Sequence, residues 1–413
     1  MEVPSVSWPE ARAVPGLRVV DLRSPAEYRE DHLPGAFSVP LLEDAQRAIV
    51  GTLYRKESPQ AAMEAGLGMV EASLERLLEG LLGPEAPLEE ARRRFRGLAE
   101  RLRRGEAPAP AEAGPPPPGG LLLYCWRGGL RSRSVGAWLA ALGVPGVRVL
   151  QGGYKAFRAW VRSELAAFDA ATPLILLRGP TGVGKTRILQ HLERALPGST
   201  LDLEGLARHR SSILGDIGLE PAGARAFETG LADRLGRLGP PPWFVEGESR
   251  KVGDRVIPEP LWRAMEAGVQ IRLDAPLSWR VGLLREEYLA SPGAREQFLE
   301  RLPFLEKRLG PSWAGRLREA LRAGRVDEVA EVLLLRYYDI RYARSDRRRR
   351  FLLHLRADDP EIVPRLLELR SRLAAGAGNA PQTAAPTPPP ACVDSSASPE
   401  APAPTSPRSS TRA

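Results

Sequence analysis

The chain has 413 residues, with 59 Lys and Arg against 51 Asp and Glu, a net charge of +8 and 43% hydrophobic residues. That length is ample for two domains with sizeable cores, while two cysteines exclude a disulfide framework and a Cys-rich zinc site. The excess of base fits an anionic partner or a solvated Arg-rich surface, and charge alone does not choose between them.

The start, MEVPSVSWPEARAV, lacks the basic residues and apolar run of a secretory signal, and no later segment offers about 18 uncharged apolar residues. The expectation is a cytoplasmic protein without a membrane span. Leu17 to Leu22, Leu121 to Tyr124 and Val147 to Gln151 read as strands of a first unit, residues 1–160. Within it, GEAPAPAEAGPPPPGG at 105–120 cannot continue a helix or enter a central strand, so it reads as a stiff, exposed connector. A helix over Tyr154 to Ala171 marks the boundary. The second unit, residues 172–373, opens with a strand at Pro173 to Arg178 and continues with strands at Thr200 to Leu203, Trp243 to Glu246 and Val269 to Leu273. Strands alternating with helical segments predict α/β architecture with parallel sheets. Pro276 to Leu373 reads as helical, with amphipathic Arg-rich segments at Ala314 to Arg322 and Glu328 to Tyr338. Residues 375–413 are Ala, Pro, Ser and Thr with few large apolar side chains, a composition that predicts disorder. Asp394 and Glu400 there cancel Arg408 and Arg412, which leaves the +8 to the folded part. Cys392 also lies in this tail.

Cys125 ends the apolar strand LLLY and is followed by WRGGLRS and a helical segment, Val135 to Leu142. Backbone N–H groups and a helix dipole at such a loop favour thiolate over thiol. Arg127, Arg131 and Arg133 add positive charge, and Gly128 and Gly129 let the amides converge. Cys125, Arg127 and Arg131 are therefore the candidate catalytic set.

Gly179 to Thr186 reads GPTGVGKT, a complete phosphate-loop pattern after one strand and before a helix at Thr186 to Leu196. Gly179, Thr181, Gly182 and Gly184 shape the cradle, Lys185 reaches the terminal phosphates, and Thr186 is placed to ligate Mg²⁺. The supporting acid is Asp202 or Glu246, with Glu246 favoured for its more apolar strand. Glu246 leads into GESRKVG, which adds Glu248, Arg250 and Lys251. His209, between Arg208 and Arg210, reads equally as a structural histidine and as a residue facing the site. The runs Arg92, Arg93, Arg94, Arg96 and Arg344, Arg347 to Arg350 are candidate contacts for an anionic partner, or solvated faces.

VVDLRSPAEYREDHLPGAFSVP at Val19 to Pro40, CWRGGLRS and LQGGYKAFRAW together resemble three motifs of rhodanese domains, in the right order. The resemblance implies that Cys125 is a nucleophile that carries a persulfide or selenopersulfide, and that Asp21 and Arg23 are structural. With VGTLYRKESPQAAMEAGLGMV, GPTGVGKT, LEGLARHRSS, VEGESRKVG and LLLRYYDIRY, the chain resembles the tRNA 2-selenouridine synthase family over residues 15–345. Ser211 and Leu214 stand where that pattern has Gly and Phe. The resemblance implies exchange of sulfur for selenium in wobble 2-thiouridine of tRNA, with selenophosphate as donor. It also implies S-geranylation of that base from geranyl diphosphate, and a partner enzyme that supplies selenophosphate. A monomer is the expected state. The motifs alone equally describe a rhodanese-type sulfurtransferase fused to an NTP-dependent kinase or NTPase, because a phosphate loop commonly takes ATP or GTP, and an RNA-binding scaffold that has lost activity is a third reading.

Overall fold

Residues 2–150 build a six-stranded, fully parallel sheet from β1 (Glu2–Val6), β2 (Arg18–Asp21), β3 (Phe37–Ser38), β4 (Ala109–Glu112), β5 (Leu121–Tyr124) and β6 (Val147–Leu150), in the order β3-β2-β5-β6-β1-β4. The computed structural model describes residues 1–247, 249–289, 293–341 and 349–376. Glu248, Arg344, Arg347, Arg348, Cys392 and nearly all of the tail predicted to be disordered lie outside the described residues.

The second sheet comprises β7 (Leu174–Arg178), β8 (Thr200–Leu201) and β9 (Trp243–Glu246), together with two later strands. β10 (Lys251–Val252) and β11 (Arg255–Val256) form a separate antiparallel hairpin, and β12 (Val269–Asp274) and β13 (Leu353–Arg356) complete the parallel order β13-β12-β7-β9-β8. Every residue of β5 (LLLY) and β7 (LILLR) is buried, as expected of parallel strands covered on both faces. In the first sheet β2 leads outward to β3 while β5 leads the other way to β6, so a crevice opens at the carboxyl ends of β2 and β5. β7 and β12 diverge in the same manner in the second sheet. The two candidate motifs follow β5 and β7 respectively.

The helix expected at Tyr154 to Ala171 runs Gly153–Ala166, and it joins the sheets rather than merely separating them. One apolar core contains Val6, Tyr124 and Phe157 together with Leu176, Phe227 and Val245. Three other features depart from the sequence reading. The connector at 105–120 contributes β4, an edge strand whose Pro110 is tolerated because no further strand needs its missing N–H. The region from Pro276 onward, expected to be all helical, supplies β13 to the second sheet. The helix after Cys125 starts at Leu130, five residues before Val135, because Gly129 takes the extended N-cap conformation.

Residues 44–103 form four helices, Asp44–Lys56, Pro59–Ala72, Leu74–Leu82 and Leu88–Arg103. Leu74, Leu77, Leu78 and Leu81, with Phe95, Leu98 and Leu102, form apolar stripes that pack on the first sheet and on Trp138. The later helices Leu277–Leu289, Ala294–Leu309, Arg316–Arg322 and Val326–Leu333 gather around a separate core that includes Leu214 and Ile217. Among the described residues no helix is long and apolar enough to cross a membrane.

Candidate functional site

Cys125 lies at the carboxyl end of β5, and the LQGG segment fixes its loop. The N-terminus of the helix Gly153–Ala166 donates two backbone bonds into it, Tyr154 N–H to the Cys125 carbonyl and Lys155 N–H to the Trp126 carbonyl, both at 2.9 Å. Gly153 must be glycine: its φ is +58°, and an added Cβ would stand 2.4 Å from the Cys125 carbonyl oxygen and 2.4 Å from the Gly128 nitrogen. With its carbonyls turned away, the loop presents amides to the sulfur. Burial alone would push the Cys125 thiol up, but it is held below the ordinary range by the Arg131 charge, the Ser132 hydroxyl, and the backbone N–H groups of Ser132 and Arg127. Ser132 Oγ lies 3.2 Å from Sγ.

The sequence reading of an anion-stabilising loop therefore corresponds to a physical arrangement, with two differences. The Arg127 side chain is exposed, and this residue reaches the sulfur through its backbone N–H. Ser132 was missed; seven residues beyond the cysteine, it comes into contact only because the loop and first helical turn fold back. Asp21 and Arg23 are structural in position: they pair at 2.6 Å in full burial, Tyr124 donates to Asp21 at 2.7 Å, and Arg23 donates to the Asp31 carbonyl at 2.7 Å.

Cys125 is only 2% exposed, and its surroundings form one wall of a cavity of about 930 Å³. The opposite walls come from the helices at 44–103, with Val50, Met63, Leu67 and Leu98. Arg55, Arg127 and Arg131 also line it.

In the phosphate loop, Gly182 and Gly184 have φ of +74° and +98°, and Gly179 presses on the Leu273 carbonyl, where a Cβ would come within 2.4 Å. The buried Arg280 holds the loop from the side: its Nε donates to the Thr181 carbonyl at 2.9 Å, and its two terminal nitrogens donate to Asp339 at 3.0 and 2.6 Å. Lys185 and Thr186 open the helix Lys185–Ala195, whose N-terminus favours negative charge. Thr186 Oγ1 donates to Glu246 Oε1 at 2.9 Å and lies 3.2 Å from Glu204 Oε2. Glu246 is fully buried, and its other oxygen accepts the Glu204 N–H at 2.9 Å.

Both candidate acids are thus placed, with different tasks. Glu246 meets Thr186, while Asp202 caps the short helix Leu203–Ala207 by accepting from Gly205 N–H at 2.6 Å. Burial pushes the Asp202 carboxyl up, and Glu246 is its hydrogen-bonding neighbour. Glu204 was missed, because only the turn imposed by the Asp202 cap brings its carboxylate back to Thr186. Among the described residues no cluster of three or more His, Cys, Asp or Glu side chains could hold a metal. The Thr186 hydroxyl and the Glu246 carboxylate are hard oxygen donors that fit Mg²⁺ when phosphates complete its shell.

His209 packs against Gly215 and Gly253, and the charges acting on it are Asp216, Asp254, Arg255 and Arg210. Burial is the largest influence and moves its imidazole down. Arg92, Arg93, Arg94 and Arg96 are exposed and sit beside Glu75, Glu89, Glu90 and Glu71. Such surface pairs contribute about 0–1 kcal/mol each and leave the guanidinium groups available to a polyanion. Arg349 pairs with Glu266 at 3.1 Å.

Residues 172–371 match the family model described as the tRNA 2-selenouridine synthase AAA domain. Curated relatives that carry the name tRNA 2-selenouridine synthase include the following three. The protein from Cupriavidus necator is 34% identical over 377 residues, 84% of this chain and 93% of that relative. The one from Nitrosomonas europaea is 29% identical over 350 residues, 79% of this chain and 81% of the relative. The one from Chromohalobacter salexigens is 36% identical over 273 residues, 66% of this chain and 65% of the relative. The match to the Cupriavidus protein spans nearly its whole length at more than 30% identity, so the chain belongs to the tRNA 2-selenouridine synthase family.

Proposed function

We propose that the protein replaces sulfur by selenium in wobble 2-thiouridine of tRNA, with selenophosphate as selenium donor and S-geranyl-2-thiouridine as intermediate. The observation that carries this reading is a thiolate-stabilising loop at Cys125 in the same chain as a phosphate loop backed by Glu246. The phosphate loop takes the diphosphate of the geranyl donor. As the base sulfur forms its new C–S bond, the allylic C–O bond breaks and the electron pair leaves with diphosphate, whose charge Lys185 and the loop amides neutralise. Mg²⁺ bound at Thr186 and Glu246 would supply further neutralisation.

Cys125 serves the exchange step as nucleophile. Its thiolate forms a bond to C2 of the base while the geranylthiolate leaves with the bonding pair. Selenium from selenophosphate then bonds to C2 and Cys125 departs as thiolate, and water cleaves the Se–P bond to release phosphate. Selenium enters at the selenide level, so the exchange is redox-neutral. Arg131, Ser132 and the loop amides, by favouring thiolate, assist both attack and departure. The surface arginines would hold the tRNA near its anticodon through its phosphates, in a salt-dependent manner. Further expectations are an enzyme partner that supplies selenophosphate, a monomeric state and a cytoplasmic location.

The test is to incubate the full-length protein with 2-thiouridine tRNA, geranyl diphosphate and selenophosphate and to identify the wobble nucleoside by mass spectrometry. 2-Selenouridine is expected from the native protein, and S-geranyl-2-thiouridine should accumulate with Cys125→Ser. Unchanged 2-thiouridine accompanied by ATP turnover would replace this reading with a sulfurtransferase coupled to an NTPase.

A further inference from the structure

We propose that the cavity beside Cys125 is the binding site for the aliphatic chain carried on the RNA base, an inference that rests on the exchange reaction proposed above. The cavity of about 930 Å³ lies at the upper end of the roughly 300–1,000 Å³ typical of small-molecule sites. A nucleophile that handled only a small chalcogen-bearing anion would need a compact polar pocket. Here the loop amides and Arg131 provide that polar corner, and the rest of the space is aliphatic.

The aliphatic walls have a separate origin from the catalytic loop. Val50 comes from the helix Asp44–Lys56, Met63 and Leu67 from Pro59–Ala72, and Leu98 from Leu88–Arg103. These helices enclose space against Trp138 and the start of the Cys125 loop instead of closing into a solid bundle. Burying such apolar surface against an apolar occupant is favourable. Exposed Arg55 and Arg127 line the same cavity. Apolar walls, cationic side chains and a thiolate together fit one kind of ligand, an aliphatic group attached to a polyanion next to the atom that reacts. Chain length is then read by the helices at 44–103 and not by the phosphate loop.

The experiment uses full-length Cys125→Ser protein and fluorescent anticodon stem-loop RNAs that carry S-methyl, S-dimethylallyl, S-geranyl or S-farnesyl 2-thiouridine. Affinity is expected to rise about tenfold or more from methyl to geranyl and to gain nothing further with farnesyl. Introducing Met63→Trp should collapse the geranyl-to-methyl affinity ratio, and Met63→Ala should move the preference toward the longer chain, so a folding defect in one variant leaves the other informative. Equal affinity for all four RNAs, or a ratio that both Met63 variants leave unchanged, overturns the assignment. Selenium exchange by the native protein is followed on the same RNAs. Exchange without chain-length preference sinks this inference alone, whereas preference without exchange retains the cavity assignment and sinks the proposed reaction.

Discussion

The Thr186 hydroxyl and the Glu246 carboxylate meet at 2.9 Å, at the first turn of one helix and the last residue of a neighbouring strand. The contact follows from register: β7 and β9 pair in parallel with Leu177 opposite Glu246, so the acid emerges beside the loop that β7 launches. Glu246→Gln keeps an oxygen for the Glu204 N–H but removes the charge. Geranyl transfer from geranyl diphosphate should fall by about 10–100-fold with a raised Mg²⁺ requirement. Transfer at the native rate and at the native Mg²⁺ concentration would remove Glu246 from the phosphate site.

Cys125 should react as a thiolate at pH values where an ordinary thiol is mostly protonated. Burial opposes this, and Arg131, Ser132 and two backbone amides outweigh it, so the folded-state thiol titrates below its usual value. Iodoacetamide labelling of Cys125, separated from Cys392 by peptide mapping, should reach its plateau at lower pH than free cysteine does. Arg131→Met and Ser132→Ala should each move that inflection upward. An inflection at the free-thiol position in the native protein would show that burial dominates and that the loop is not a thiolate cradle.

How far the sequence disclosed this arrangement depends on where each contact originates. β5, β7 and β9 were legible because they are short, continuous apolar runs that end at the motif residues. β1 was not: EVPSV contains a proline and two polar residues, and it is a strand only because β4 and β6 flank it. β13, LHLR, is an exposed edge with no apolar run of its own. The helices at 44–103 were not read from the sequence, and the cavity they leave beside Cys125 depends on how four helices are spaced. Ser132 returns to Cys125 through the first turn of the following helix, and Glu204, which follows β8, returns to Thr186 through the turn that Asp202 caps. His209, left open by the sequence, packs its ring against two glycines.

Asp31 offers a pH test of the junction between the two sheets. Its carboxylate accepts from Tyr154 Oη at 2.8 Å and from Thr229 Oγ1 at 2.9 Å, and lies 3.6 Å from Arg158. Burial is the largest influence and raises its pKa above the ordinary 3.8, against the pull of these partners. A carboxyl with a raised folded-state value contributes stability that is full below the unfolded value and is lost as pH rises through the folded one. Asp31→Asn, which still accepts from Tyr154 and Thr229, removes that loss. In urea unfolding, its stability relative to the native protein should therefore increase as pH rises above about 4. A relative stability that decreases over that range would mean that the Arg158 charge outweighs burial.

Ser211, where the resemblance leads one to expect glycine, holds a strained backbone. Its φ is +47°, in the left-handed region, and its hydroxyl is buried without a hydrogen-bond partner. A non-glycine residue held there costs on the order of 1–3 kcal/mol, and a buried unsatisfied hydroxyl costs about 1–3 kcal/mol. Glycine would relieve both while losing about 0.5–1 kcal/mol through the added freedom of the unfolded chain. Ser211→Gly should therefore stabilise the protein by at least about 1 kcal/mol, seen as a higher urea midpoint with an unchanged slope. A lower midpoint would show that the loop around His209 depends on the serine despite its strained backbone.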